Sequence, residues 1–227
     1  MTAASFHKVL SDPRTAAIGA ILLQRGVRPG ARVIVVGCGS GREAAALAGQ
    51  LSAAVVGIDV LDGFDPAARQ YATLQLGDAQ ALDFADASFD VVFSYHALEH
   101  IPDPHRALQE MARVLRPGGV FCVGTPNRTR LFGYIGGNST WPEKIRWNVA
   151  DWQARLKGRF RNELGAHAGY SSGELQGMLR QHFSSAESST RQYFLNLYAR
   201  HPRLIACLAD SGLGHVLFPS IYFVGVR

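Results

Sequence analysis

Apolar residues in the first half of this chain fall alternately into helical stripes and short continuous runs. Asp12-Pro13 is a cap and first-turn pair, followed by a stripe of Ile18, Leu22 and Leu23 that Gly26 stops. Pro29-Gly30 makes a turn. Arg32 to Val36 is then a β-branched run bounded by glycine, suited to a strand buried on both faces of a parallel sheet. Glu43 to Leu51 is alanine-rich and helical, and Ala54 to Ile58 is a second buried run ending at Asp59. Thr73 to Leu76 and Phe89 to Ser94 read as the third and fourth strands. Asp103-Pro104 opens a helix with Ala107, Leu108, Met111, Val114 and Leu115 at helical spacing, ending at Pro117-Gly118-Gly119. Val120 to Gly124 is the fifth strand. Strands alternating with helices predict an α/β fold, a mostly parallel sheet with helices on both faces.

After Thr125-Pro126 the alternation breaks. The stretch from 126 to about 170 shows no clear strand, three tryptophans (Trp141, Trp147, Trp152) and many basic residues. It reads as an irregular or helical insertion after the fifth strand, within one domain spanning 1–227. Ser171 and Glu174 match a capping box opening a helix through Leu175, Met178 and Leu179. A strand over Glu187 to Phe194, a helix over Leu204 to Ala209 and a strand over Ile221 to Val226 complete the prediction.

Composition narrows the function classes. The chain has 227 residues and a formal charge of +5, too mild and dispersed to argue for nucleic acid, and no nucleic-acid reading module accompanies the basic residues. Three separated cysteines form no disulfide framework or zinc ribbon, which fits a reducing cytoplasm. No apolar run is long enough to span a bilayer, and the first twenty-five residues lack the apolar stretch of a signal peptide.

The candidate chemistry lies at strand ends. The first strand runs into Gly37-Cys38-Gly39-Ser40-Gly41, where absent Cβ atoms let backbone turn tightly and approach a ligand. Asp59 ends the second strand, where its carboxylate can accept from both hydroxyls of a ribose; Asp78 ends the third, where it can accept from the exocyclic amine of adenine. The glycine loop and two strand-end aspartates, in that order, form a more specific signal than any one of them. A dinucleotide fingerprint needs glycine three positions after Gly39, and Arg42 stands there.

Together, Val33-Ile34-Val35-Val36-Gly37-Cys38-Gly39-Ser40-Gly41-Arg42-Glu43, Gly57-Ile58-Asp59, Gly77-Asp78 and Phe89-Asp90-Val91-Val92 resemble successive motifs of class I S-adenosylmethionine-dependent methyltransferases. His96-Ala97-Leu98-Glu99-His100-Ile101-Pro102-Asp103-Pro104 and Arg113 to Gly119 resemble the small-molecule branch containing ubiquinone and menaquinone methyltransferases. The resemblance implies a Rossmann-like sheet and the cofactor S-adenosylmethionine, with S-adenosylhomocysteine as its product. It places Gly37, Cys38, Gly39 and Gly41 beside the carboxypropyl and ribose parts, Asp59 on the ribose and Val60 against the adenine. Asp78 and Ala79 would contact the adenine, and Ser94 or Tyr95 would close the site beside the sulfonium. The acceptor would be a small molecule, methylated at oxygen, nitrogen or carbon.

His96 or His100 is a candidate general base on that acceptor, because both follow the fourth strand and imidazole titrates near neutrality. Alternatively, Glu99 and His100 bond neighbouring backbone and only fix the loop. His96, Glu99 and His100 also spell the H-x-x-E-H pattern of a class of zinc peptidases, but Pro102 and Pro104 cut short any helix, and no metal is expected. In the insertion, the tryptophans among Lys144, Arg146, Arg155, Lys157, Arg159 and Arg161 allow three readings: an acceptor lid, a basic amphipathic surface for an anionic membrane, or a plain helical cover. Trp141, His167 and Tyr170 are the candidate acceptor contacts. A non-catalytic adenosylmethionine-binding protein and a metal-dependent hydrolase are the competing functions.

Overall fold

The computed structural model describes residues 12–134 and 139–227; residues 135–138 of the predicted insertion lie outside them. Helix α1 (Pro13–Gln24) starts where expected, with the Asp12 side chain accepting from the Arg14 N–H at 2.9 Å. There follow β1 (Arg32–Val36), α2 (Arg42–Leu51), β2 (Ala54–Asp59), β3 (Thr73–Leu76), β4 (Phe89–Tyr95), α3 (Pro104–Val114) and β5 (Leu115–Pro126). The second half adds α4 (Trp141–Leu156), α5 (Ser172–Arg180), β6 (Glu187–Ser188), α6 (Thr190–Leu197), α7 (Pro202–Asp210), α8 (Gly214–Leu217) and β7 (Ser220–Val226).

The seven strands form one sheet in the order β3-β2-β1-β4-β5-β7-β6. The first five are mutually parallel, and β7 runs antiparallel to both β5 and β6. Strand β1 explains why the run at 33–36 is uninterrupted. Val33 and Val35 face one core with Ile18, Leu47, Phe93 and Tyr222, while Ile34 and Val36 face the other with Leu108, Met111 and Phe121. Both faces of the sheet are covered, so polar alternation has no place in β1. The order reverses at β1, whose neighbours β2 and β4 carry the chain to opposite sides, and ligands of open α/β sheets sit beyond the strand ends at such a switch.

Two predicted elements differ. The strand expected over Glu187 to Phe194 survives only as Glu187–Ser188, and residues 190–197 are α6. The Ser189 N–H and the Thr190 hydroxyl both bond the Tyr222 carbonyl, which ends pairing along β7. The Asn196 amide then ties α6 to the Ala17 carbonyl of α1. The helix expected to reach Pro117 stops at Val114, because Leu115 pairs with Phe89 as the start of β5. The insertion is not wholly irregular, since α4 occupies sixteen of its residues.

Candidate active site

Two cavities open at the carboxyl ends of the parallel strands. The first, about 590 Å³, is walled by Gly37 and Gly39 after β1, Asp59 to Leu61 after β2 and Gly77 to Gln80 after β3; His96, Ala97, His100, Ile101 and Pro102 after β4 complete it. Gly37, Gly39 and Gly41 all have positive φ, which favours residues without a Cβ, but for two of them crowding adds a second reason. A Cβ on Gly37 would run into the Ala97 side chain, and one on Gly41 into Leu74. A Cβ on Gly39 would meet nothing within 4 Å, so that glycine faces open space.

The Asp59 carboxylate is oriented from both sides. Its Oδ2 accepts from the Gly39 N–H at 2.7 Å and its Oδ1 from the Leu61 N–H at 3.1 Å. Each oxygen keeps acceptor capacity toward the cavity, since an ionised carboxylate has about four acceptor sites. Asp78 is exposed and bonds the backbone N–H and side-chain amide of Gln80. Val60 and Leu61 are 67% and 72% exposed and give the cavity an apolar lip.

The second cavity, about 330 Å³, is mostly aromatic. Tyr95, Tyr134, Tyr193, Phe194 and Tyr198 line it with Pro126 and Pro219, together with Arg14, Arg130, His96 and His167. Its two arginines are already engaged. Arg14 grips Asp12 at 2.7 Å; buried Arg130 pairs with Asp151 at 2.9 Å and donates to the carbonyls of Asn127, Ala168 and His167. The polar groups left facing the cavity are therefore chiefly hydroxyls and imidazoles.

His96 lines both cavities. It sits at φ +50°, its N–H bonded to the Gly124 carbonyl at 2.9 Å and its ring 4.2 Å from that of Tyr95. This left-handed backbone costs on the order of 1–3 kcal/mol for a side chain of this kind and is the sort of strain that collects at functional sites. Desolvation against the cavity walls lowers the pKa of His96, with Arg130, His167, Arg14 and His100 adding to the effect, which favours the neutral ring. His100 is also lowered, by burial and then by His167, whose ring centroid is 4.7 Å away.

Glu99 is the group that sequence reasoning undervalued. Its side chain is fully buried, and neither oxygen has a hydrogen-bond partner. Oε1 lies 3.9 Å from both His96 Nδ1 and His100 Nε2. Burial pushes its pKa up to about 7, with its own backbone amide and Arg130 pulling the other way. Only an element of disorder in the hydrophobic pattern, a glutamate between Leu98 and Ile101, could have signalled this in sequence.

The peptidase reading fails on geometry. Residues 98–100 form a single 3₁₀ turn and His96 lies outside it, so the two histidines do not share an α-helical face. One ligand atom each from Glu99, His100 and His167 comes within 4.8 Å of the others. The 3.9 Å between Glu99 and His100 is wider than the roughly 3.4 Å edge of a tetrahedral site with bonds of about 2.1 Å.

Of the expected cofactor contacts, Gly37, Gly39, Asp59, Val60, Asp78 and Ala79 meet around the first cavity, with His96 and His100. Cys38 and Ser94 do not: both are buried, Ser94 completely, and line neither cavity. Gly41 packs on Leu74, and Tyr95 belongs to the aromatic cavity. Of the three acceptor candidates, only His167 lines the aromatic cavity. Trp141 is 76% exposed on the outside of α4, and Tyr170 is buried with its hydroxyl against the Leu98 carbonyl at 3.4 Å. The wall residues Arg14, Tyr193, Phe194 and Tyr198 escaped the sequence reading because they come from α1 and from α6 and its C-terminal end, distant in the chain.

Comparison with known proteins agrees with this geometry. Residues 34–123 match the model of a methyltransferase domain. The chain is 39% identical over 106 residues to methyltransferase GfsG of Streptomyces halstedii, covering 43% of this chain and 38% of that protein. It is 33% identical over 160 residues to a ubiquinone biosynthesis O-methyltransferase of Parvibaculum lavamentivorans, covering 59% and 63%. The chain thus spans less than two thirds of the length of these curated relatives. Among solved structures, a putative sarcosine dimethylglycine methyltransferase from Galdieria sulphuraria shares the fold with a TM-score of 0.56, at 19% identity over 93% of this chain and 83% of that one. Phosphoethanolamine N-methyltransferase 2 of Haemonchus contortus, solved with S-adenosyl-L-methionine, has a TM-score of 0.57 at 18% identity over 92% and 51%. Residues 34–123 are thus similar to a methyltransferase domain, and the sheet built around them shares its fold with methyltransferases of known structure.

Proposed function

We propose that this protein methylates a small, largely apolar acceptor held in the aromatic cavity, using S-adenosylmethionine held in the glycine-loop cavity. The observation that carries the reading is His96, a wall of both spaces, which leaves the two cavities side by side.

The residues of the first cavity fit the donor. Gly39 leaves open space where any side chain would intrude, the aligned Asp59 carboxylate suits vicinal hydroxyls, and Val60 and Leu61 offer an apolar lip to a flat base. S-adenosylmethionine, when bound, supplies an electrophilic methyl group on a sulfonium. The remaining work falls to this chain. Adjoining cavities align the acceptor and exclude water, which accounts for much of the acceleration of a displacement reaction. With Arg14 and Arg130 tied to Asp12 and Asp151, the aromatic cavity favours neutral rings and hydroxyls over anions.

Where the acceptor atom carries a proton, His96 is the group positioned to receive it. A neutral imidazole of low basicity holds a proton poorly, but Glu99, 3.9 Å behind Nδ1 and with a pKa near 7, is a better resting place. His96 is thus the contact residue and Glu99 the positioning residue that acts through it. His100 borders the donor cavity and reaches the same carboxylate.

Calorimetry with S-adenosylmethionine, S-adenosylhomocysteine and a nicotinamide dinucleotide tests the reading. Binding of the first two and not the third is expected. No heat from either adenosyl ligand would overturn it.

A further inference from the structure

Helix α4 is built inside out. A capping box starts it, with the Thr140 N–H and hydroxyl both bonded to Glu143 at 2.8 Å and Pro142 in the first turn. The face turned toward the protein is held largely by polar contacts. Asn148 exchanges hydrogen bonds with the Gly133 backbone, Asp151 pairs with Arg130, and Arg155 donates to the Arg130 carbonyl; the Trp147 ring meets Tyr134. No residue of this helix is buried.

The apolar residues look outward instead. Trp141, Ile145, Val149, Trp152 and Leu156 are 76%, 61%, 49%, 40% and 86% exposed. At about 100° per residue these five fall within an arc of about 80°, a straight stripe running about 22 Å along the helix. Phe132, 52% exposed, lies next to Leu131, whose carbonyl accepts from the Trp152 indole, so the patch continues past the helix. An unbroken exposed stripe of this kind marks a surface that something covers.

Charge identifies the cover. Arg146 and Lys157, both exposed, flank the stripe on its outer side by the same helical geometry, and half-buried Lys144 sits at its inner edge with its ammonium 5.4 Å from the centre of the Trp141 ring. Arg159 and Arg161 follow, both exposed. Of the nearby acids, Glu143 is committed to the cap and Asp151 to Arg130, leaving Glu163 exposed. Two copies pairing through this stripe would bring basic flanks against basic flanks. A bilayer carrying anionic headgroups accepts the apolar edge among its acyl chains and the cations at its surface, with Lys and Arg stems lying along the apolar boundary. Tryptophan is favoured at that depth.

We infer that α4 seats this protein on the headgroup surface of an anionic lipid bilayer. The bound helix lies in the plane of the interface and does not cross it, consistent with the absence, among the described residues, of any helix long and apolar enough to span a membrane. Residues that line the aromatic cavity hold this helix: Arg130 pairs with Asp151, and Tyr134 meets Trp147. The docked face is therefore coupled to the cavity that takes an apolar acceptor.

Co-sedimentation of the full chain with vesicles of phosphatidylcholine mixed with phosphatidylglycerol, against phosphatidylcholine alone, tests this. Binding to the mixed vesicles only, weakening as salt is raised, is expected, with a blue shift of tryptophan fluorescence. Ile145→Asp combined with Leu156→Asp removes two solvent-facing side chains, so the fold, checked by circular dichroism, stays intact while partitioning falls by about tenfold or more. Lys144→Glu with Arg146→Glu lowers binding to mixed vesicles by about tenfold at low salt. Absence of binding, equal binding to both vesicle types, or undiminished binding by the Ile145/Leu156 variant overturns the inference. So does a dimer in sedimentation velocity that the same variant dissociates, which would assign the stripe to a second copy.

Discussion

Replacing Glu99 by glutamine keeps the shape of the side chain and removes its titration. In the native protein the carboxyl is fully buried without a hydrogen-bond partner, facing His96, His100 and His167, with Arg130 and Tyr170 nearby. Its pKa rises from an ordinary 4.5 to about 7, and desolvation of the charged form is the main cause. Below pH 4.5 the native and unfolded chains both hold the proton. Between 4.5 and about 7 only the native chain does, so unfolding free energy falls as pH rises; above 7 both are ionised and the loss is complete. At about 1.4 kcal/mol per pH unit, the full change is about 3 kcal/mol. His96, held below the usual imidazole range, acts in the opposite sense at acid pH, making stability rise with pH there. The glutamine variant keeps that contribution, so the difference between the two proteins isolates Glu99. Urea unfolding across pH 4 to 9 should show near-equal stabilities at the acid end and a variant more stable by about 3 kcal/mol at the alkaline end. Parallel curves would refute the reasoning, because they would mean that Glu99 is solvated or ionised throughout.

Asp59→Ala should weaken S-adenosylhomocysteine binding by about tenfold to a hundredfold in calorimetry while Tm changes little, because the aspartate's partners, the Gly39 and Leu61 N–H groups, sit beside exposed Val60 and Leu61. Gly37→Ala and Gly39→Ala should part ways. The first meets Ala97 at a positive φ and should cost roughly 2 kcal/mol or more in unfolding measurements; the second meets only open space and should cost about 1 kcal/mol while reducing ligand affinity more than stability. His96→Asn, chosen because asparagine tolerates left-handed backbone, should lower kcat on a proton-bearing acceptor by about a hundredfold with S-adenosylhomocysteine affinity retained. Equal turnover by that variant would remove the proton-transfer role.

The glycine-loop cavity was legible because its parts are local. Gly37 and Gly39 follow one strand, Asp59 the next and Asp78 the third, and a parallel sheet brings successive strand ends to one edge whatever else the chain does. The aromatic cavity was not. Arg14 comes from α1, Tyr95 and His96 from the end of β4, Arg130 and Tyr134 from the segment after β5, and Tyr193 and Phe194 from α6. Tyr193 and Phe194 even carry a pattern that suits a strand, and only the capping of β6 by the Tyr222 carbonyl turns that segment into a helix. Trp141 was misplaced for a related reason. Tryptophans among basic residues allow a lid, a membrane surface or a cover, and the docking of α4 through Asn148 and Asp151 is what leaves Trp141 outside.

By itself, then, the sequence determined the α/β layering, the parallel strands and the clustering of glycines and aspartates at their ends, since each follows from short-range periodicity and strand-end chemistry. Tertiary structure alone decided that His96 divides two cavities, that Glu99 is desolvated between two imidazoles and that α4 faces outward. Those outcomes depend on which distant segments pack together, and burial of a charged or apolar group is a property of its neighbours in space, not of its neighbours in the chain.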